Sequence, residues 1–242
     1  MHTPPMARRI AVVLATALAV ALTQIGTLSP AQAAVKDPVL LAGGTLAQQS
    51  DMNSVKSWLQ AKGYTVYAMQ LAGSPPGTPS IKVSAAAVAA EVARIRKETG
   101  ATKVDFVGHS EGGLAGRYYV KFLGGLQEVG RFIDMGTANS GDLAPLLCLL
   151  WQACVDMLPG SAFLNELNAG NPTPGAIPYF HLYSDNGEVG EKTPLPGATN
   201  ASVQSFCPGR SVIHTKEWDD GAMRQLVDSA LAARPLATTC PV

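Results

Sequence analysis

Between positions 104 and 123 the chain reads Val104-Asp105-Phe106-Val107, then Gly108-His109-Ser110-Glu111-Gly112, then a stretch from Leu114 to Leu123 with apolar residues at helical spacing. A short apolar run followed by a helical period predicts a strand that passes directly into a helix. Only a very tight turn makes that passage. The glycines flanking Ser110 suit it, because neighbouring backbone runs too close for a side chain. Ser110 is left at the apex and at a helix N-terminus, where free N–H groups and the helix dipole favour negative charge. A strand carried this way needs a sheet around it and helices to cover the sheet.

The rest of the chain supplies that pattern. Val39-Leu40-Leu41 is a short apolar run ending at Ala42-Gly43-Gly44. Ser50 and Asp51 are caps for a helix over Val55, Trp58 and Leu59, which Gly63 stops. Tyr64 to Gln70 alternates like a strand, and Ala72 to Ser80 is a loop rich in Pro and Gly. Ser84 to Thr99 reads as a helix with Val88, Val92 and Ile95 on one face, and Gly100 follows its end. Arg131 to Met135, Ile177 to Tyr183, Val203 to Phe206 and Ser211 to Ile213 read as further strands, and Met223 to Ala233 as a last helix. The expectation is an α/β fold with a mostly parallel central sheet and helices on both faces, in one domain over residues 34–242. Residues 136–178 carry no clear strand, although they contain the apolar run Leu146 to Trp151. A loop of that length is expected to have a function.

Residues 1–33 read as a secretory leader. Arg8 and Arg9 form the positive region, Ile10 to Leu22 the apolar one, and Ala31-Gln32-Ala33 the small-residue cleavage signal. The apolar run is short for a bilayer span, so a cleaved signal is favoured over an anchor. Without the two arginines the chain holds 16 basic and 18 acidic residues. That near-neutral balance, with no basic run, argues against a nucleic-acid partner. Cys148, Cys154, Cys207 and Cys240 then belong to an oxidising compartment, where Cys148–Cys154 and Cys207–Cys240 are the preferred pairs because each ties the chain locally. His109, His181 and His214 stand at no metal-ligand spacing to a cysteine, so no metal site is expected.

A serine hydroxyl becomes a strong nucleophile only when a base takes its proton. Downstream of Ser110 the histidines are His181, inside a strand-like segment, and His214, just before the last helix. His214 is the expected base. The loop after Ile177–Tyr183 offers Asp185, Glu188 and Glu191 as the acid; Asp185 is preferred as nearest the strand end, with Glu188 the alternative. The oxyanion of acyl transfer needs N–H donors, expected from Glu111 and from Gly44.

From Val39 to about Leu231 the chain resembles the small secreted bacterial lipases of the α/β-hydrolase superfamily, the actinobacterial and Bacillus class 2 group. The resemblance rests on Val39 to Gly44, on Thr99 to Gly113, on Leu182-Tyr183-Ser184 and on the spacing from His214 to Leu226 and Val227. It implies hydrolysis of triacylglycerols or shorter esters through an acyl-serine intermediate, without an organic cofactor. It also implies an ester or lipid substrate met at a lipid interface without a stable membrane anchor, by a chain read as a monomer. The family's usual His-Gly before the oxyanion loop is Ala42-Gly43 here. Glu111 replaces the usual Met or Gln, which puts a carboxylate where it can repel a fatty-acid product or raise the pKa of His214. Aligning Glu188-Val189 with the family's Asp-Glu-Val leaves Gly187 where the Asp would stand. These departures keep two alternatives open, a catalytically degenerate fold that binds apolar ligands or a partner, and an acyltransferase using the same residues. As an enzyme, the chain would use Leu146 to Trp151, Phe163 and Leu164 either to line an acyl pocket or as ordinary core.

Overall fold

Val39–Ala42 (β1) is buried along its whole length, and its side chains divide between two layers: Leu40 and Ala42 face one, Val39 and Leu41 the other. Such two-sided burial is what a parallel strand covered on both faces requires. In a computed structural model that describes Met1 and residues 36–241, β1 lies inside a six-stranded sheet in the order β2-β1-β3-β4-β5-β6, with every pairing parallel. The other strands are Val66–Met69 (β2), Val104–His109 (β3), Val129–Met135 (β4), Tyr179–Tyr183 (β5) and Thr199–Ser202 (β6). Apart from Met1, the expected leader lies outside the described residues.

Helices Asn53–Ala61 (α1) and Gly221–Leu231 (α6) cover one face, packing Val55, Leu59, Met223 and Leu226 against Val39, Leu41, Val107 and Ile133. Helices Ile81–Thr99 (α2) and Glu111–Phe122 (α3) cover the other, with Val88, Val92 and Leu114 against Leu40, Phe106 and Phe132. The expected architecture of a parallel sheet between helices is therefore the observed one. The sheet order reverses between β1 and β3, and in open parallel sheets the crevice at such a reversal is where ligands bind.

Two expected strands are not formed. Val203–Ser205 is a 3-10 turn capped by Ser202, whose Oγ accepts from the Ser205 N–H at 3.1 Å, and the edge strand lies just before it. Ser211–Ile213 has no ladder; the Ser184 hydroxyl donates to the Val212 carbonyl at 2.6 Å instead.

The long segment after β4 has structure of its own, with a 3-10 turn at Ala144–Cys148 and short helices at Gln152–Asp156 (α4) and Ala162–Asn168 (α5). Disulfides join Cys148 to Cys154 and Cys207 to Cys240. Ala153, Cys154, Phe163 and Leu164 belong to the core with α2 and α3, whereas Leu147 and Leu150 are 95% and 99% exposed. The segment thus packs part of its apolar residues into the core and leaves Leu147 and Leu150 outside it. No described helix is long and apolar enough to cross a membrane.

Candidate active site

β3 ends at His109 and α3 begins at Glu111, so the turn between them is Ser110 alone, held at φ 55° and ψ −126°. A non-glycine residue at positive φ is sterically costly and persists only where its surroundings enforce it. The Ser110 N–H donates to the Met135 carbonyl at 2.9 Å, and the Thr137 hydroxyl donates to the Ser110 carbonyl at 3.0 Å. A side chain at position 112 would meet the Gly43 carbonyl oxygen at 2.4 Å, so the turn can lie against the loop after β1 only with glycine there. That loop brings Gly44 over the serine: a Cβ on Gly44 would stand 3.3 Å from Ser110 Oγ. Glu111, as the first residue of α3, presents an N–H with no intrahelical acceptor.

His214 opens a 3-10 turn, His214–Lys216, at the C-terminal edge of the sheet. With Ser110, Gly44, Thr45, Leu46 and Trp218 it lines one cleft of about 400 Å³. Behind it lie two fully buried carboxyl groups. His214 Nδ1 is 3.2 Å from Glu191 Oε2 and 3.6 Å from Glu217 Oε2. A hydrogen bond from Nδ1 fixes the neutral tautomer that leaves Nε2 as a proton acceptor. Burial opposes the imidazolium of His214, yet the Glu191 hydrogen bond and the charges of Glu188, Glu191 and Asp142 outweigh it and raise its pKa.

The three acidic residues of the loop after β5 go to different places. Asp185 turns toward β6, its N–H donating to Gln204 Oε1 at 2.9 Å and its Oδ2 accepting from the Ser202 hydroxyl at 3.2 Å. Asp185 is therefore not brought to His214, contrary to expectation. Glu188, the alternative, acts on His214 by charge without a hydrogen bond. The hydrogen-bonded carboxylate is that of Glu191. The chain first folds back through a Gly187 N–H to Ser184 carbonyl bond of 3.1 Å and then returns at the 3-10 turn Gly190–Lys192. Glu191 Oε1 lies 1.2 Å from where a Cβ on Gly187 would be. The Glu191 carboxyl group thus occupies the space that a side chain at 187 would take.

Two buried groups hold this loop. His181, read from sequence as a satisfied strand residue, is fully buried and pairs with Asp134 through Nδ1. Its Nε2 donates to the Glu191 carbonyl at 2.7 Å. Burial lowers the pKa of His181, but the charge and hydrogen bond of Asp134 outweigh it, so the pKa is raised. Asp142 accepts the Gly190 N–H with one oxygen and the Ala144 N–H, at 2.8 Å, with the other.

Glu111 points neither into the cleft nor at His214. Its side chain is fully buried and accepts from the Thr45 hydroxyl at 2.7 Å, tying α3 to the loop that carries Gly44. Burial, which favours the neutral acid, pushes its pKa up to about 8 against the Thr45 hydrogen bond. Thr45, His109 and Glu217 have no place in the sequence reading of the site. His109 stacks on His214 with ring centres 4.5 Å apart, and its Nε2 is 3.0 Å from Glu217 Oε2. Atoms of metal-ligand type on His109, His214 and Glu217 lie within 4.8 Å of one another, and the hydrogen bonds among these residues account for that closeness.

A parallel sheet with a switch point, and a strand–serine–helix turn at its head facing a histidine with a buried carboxylate behind it, define an α/β-hydrolase. Comparison with known proteins agrees. Residues 38–172 match the family model described as palmitoyl protein thioesterase, and the chain belongs to that family. The match takes in Gly44, Ser110 and Glu111 and ends before Glu191 and His214. A triacylglycerol lipase of Burkholderia plantarii is 32% identical over 138 residues, 52% of this chain and 36% of that protein. One of Pseudarthrobacter phenanthrenivorans is 35% identical over 120 residues, 45% of this chain and 35% of that one. The matched stretches thus span little more than a third of these relatives. Among solved structures, Aspergillus fumigatus lipase B has a TM-score of 0.71 at 17% identity, covering 84% of this chain and 54% of that one. A Bacillus licheniformis lipase in mature form has a TM-score of 0.61 at 18% identity, covering 75% and 86%. At those identities the likeness is one of fold.

Proposed function

We propose that this chain hydrolyses acyl esters or thioesters through Ser110, with His214 as base, Glu191 as acid and the N–H groups of Gly44 and Glu111 as oxyanion donors. The observation that carries this reading is the Glu191 carboxylate on His214 Nδ1 in a cleft that also contains a strained, helix-capping Ser110. His214 Nε2 takes the Ser110 proton as Oγ attacks the acyl carbonyl carbon. The tetrahedral oxyanion is met by the two amides, each of which is worth on the order of 10²–10³ in rate. Collapse expels the alcohol or thiol, which takes the proton from His214. Water activated by the same base then releases the acid and restores Ser110.

An apolar acyl group fits the rim of this site. Leu46 lines the cleft, and Val189 and Ile213, close in sequence to Glu191 and His214, are 79% and 56% exposed. The exposed leucines at 147 and 150 extend the apolar surface available to a lipid aggregate. The two disulfides support a location in an oxidising, extracellular compartment.

The test is turnover of p-nitrophenyl esters from C2 to C16 and of a palmitoyl thioester, by the wild-type protein and by Ser110→Ala. Ser110-dependent turnover peaking at long acyl chains is the expected result, with a loss of at least ~10⁴ in the variant. A wild-type protein that neither turns over these substrates nor is labelled at Ser110 by a fluorophosphonate would overturn the proposal in favour of a binding protein.

A further inference from the structure

Behind His214 stand two carboxyl groups where one suffices for the chemistry. Glu191 and Glu217 are both fully buried, and both direct Oε2 at His214 Nδ1. They also converge on one point: a side chain at Gly136 would meet Glu217 Oε2 at 1.9 Å and Glu191 Oε2 at 2.7 Å. Each keeps its Oε1 buried without a hydrogen-bond partner among the described residues. Two buried carboxylates this close cannot both ionise cheaply, so the pair retains a proton. Burial first, and then the Glu191 charge, raises the Glu217 carboxyl well above the usual range.

Glu217 reaches His214 by a second route as well. His109 Nε2 is 3.1 Å from the His214 carbonyl, which can only accept, so this nitrogen carries the hydrogen and shares it with Glu217 Oε2. Burial, and then the charge of His214, lowers the His109 pKa to about 3, so its ring is neutral. Glu217 is thereby braced against the ring that stacks on the base. Besides His109 and His214, the charged groups around the pair are His181, which couples to Glu191 and is itself paired with Asp134, and Glu188 and Asp142.

We propose that the acid behind His214 is a carboxyl pair, in which Glu217 is a second positioning residue that carries the charge on His214 Nδ1 whenever Glu191 does not. The inference rests on the hydrolase reading above. With Glu191 neutralised, its share of the repulsion on Glu217 disappears while burial remains. Glu217 Oε2, 3.6 Å from His214 Nδ1, is then the carboxyl oxygen left to accept from it as positive charge develops on the ring.

Two readouts test this in Glu191→Gln, Glu217→Gln and the double variant: kcat/KM from pH 5 to 9, and the low-field proton resonance of His214 Nδ1–H. Loss of the acid from a serine triad typically costs ~10⁴ in rate. Glu191→Gln is expected to lose only ~10–10², Glu217→Gln less than ~10, and the double variant ~10⁴, a non-additive set. The low-field resonance should persist in each single variant and vanish in the double. A Glu191→Gln protein that lacks both activity and resonance overturns the pair, and this holds even if the double variant does not fold. So does a Glu217→Gln protein that falls to the ~10⁴ loss while Glu191→Gln stays mild, since Glu217 would then be the sole acid. If the wild-type protein shows no Ser110-dependent turnover, the hydrolase reading fails, and the resonance still decides the pair by itself.

Discussion

The turn around Ser110 and the loops that carry Glu191, His214 and Glu217 form two halves of one site, built in different ways. The serine half is local. Its strand, turn and helix are continuous in sequence, and α3 starts where the strand ends. The acid–base half is assembled over distance. His214 is 23 residues from Glu191; Glu191 is held by His181, ten residues away, and its neighbour Gly190 by Asp142, 48 residues from that glycine. The local half tolerates little variation because its backbone is at its steric limit. The distributed half can move its acid along the loop, provided that a carboxylate still arrives at Nδ1.

The comparison can be broken most severely at Gly187. An alanine Cβ there would lie 1.2 Å from Glu191 Oε1 and must push the carboxylate off His214. We expect Gly187→Ala to lower kcat/KM roughly 10- to 10²-fold, measured on a p-nitrophenyl ester, as the Glu191→Gln change does, with some loss of melting temperature from the displaced buried side chain. Adding Glu191→Ala to Gly187→Asp should recover part of that activity, because the new carboxylate fills the vacated space. No recovery would mean that the acid is not portable along the loop.

A smaller effect belongs to the local half. Ionisation of Glu111 puts a negative charge behind the oxyanion donors, so kcat should fall on the order of tenfold as pH rises through about 8. Glu111→Gln keeps the Thr45 hydrogen bond and should remove that alkaline limb. Stability should follow the same sign. With a folded-state pKa raised from 4.5 to about 8, the contribution of Glu111 is complete below 4.5 and is lost as pH climbs toward 8. Thermal melts across that window should flatten in the variant. The smallest effect is expected at Asp185: Asp185→Asn should keep kcat/KM within about twofold, since the residue touches Gln204 and Ser202 and surface changes of this kind are mild. A large loss there would return Asp185 to the acid's role.

Legibility in the sequence divided along the same line. The sheet, its covering helices and the strand–turn–helix passage at Ser110 were readable because apolar periodicity and glycine placement are contiguous signals. The edge strand Thr199–Ser202 was not, since its side chains are mostly polar and exposed while the apolar Val203 beside it sits in a capped turn. Among the acids, nearness to the strand end favoured Asp185, but the backbone reverses at Gly187 and distance along the chain stops measuring distance in space. Glu217 left one faint signal. It stands three residues after His214 in a 3-10 turn, where such positions share a face. The burial of Glu111 had none, because it depends on the loop around Gly77 closing over the carboxyl, where a Cβ would meet Glu111 Oε2 at 2.7 Å.

The Cys207–Cys240 bond encloses His214. The covalent ring it closes contains His214, Glu217 and the whole of α6, and leaves Ser110 and Glu191 outside. Closing a ring of this size, 33 residues apart in sequence, stabilises the folded chain by roughly 3–4 kcal/mol in the chain-entropy model. In a reducing compartment that support falls away from the half of the site that holds His214, while the serine turn keeps its own backbone hydrogen bonds. Oxidation of this one pair therefore steadies the stretch that carries His214 and Glu217 and leaves the serine turn as it was.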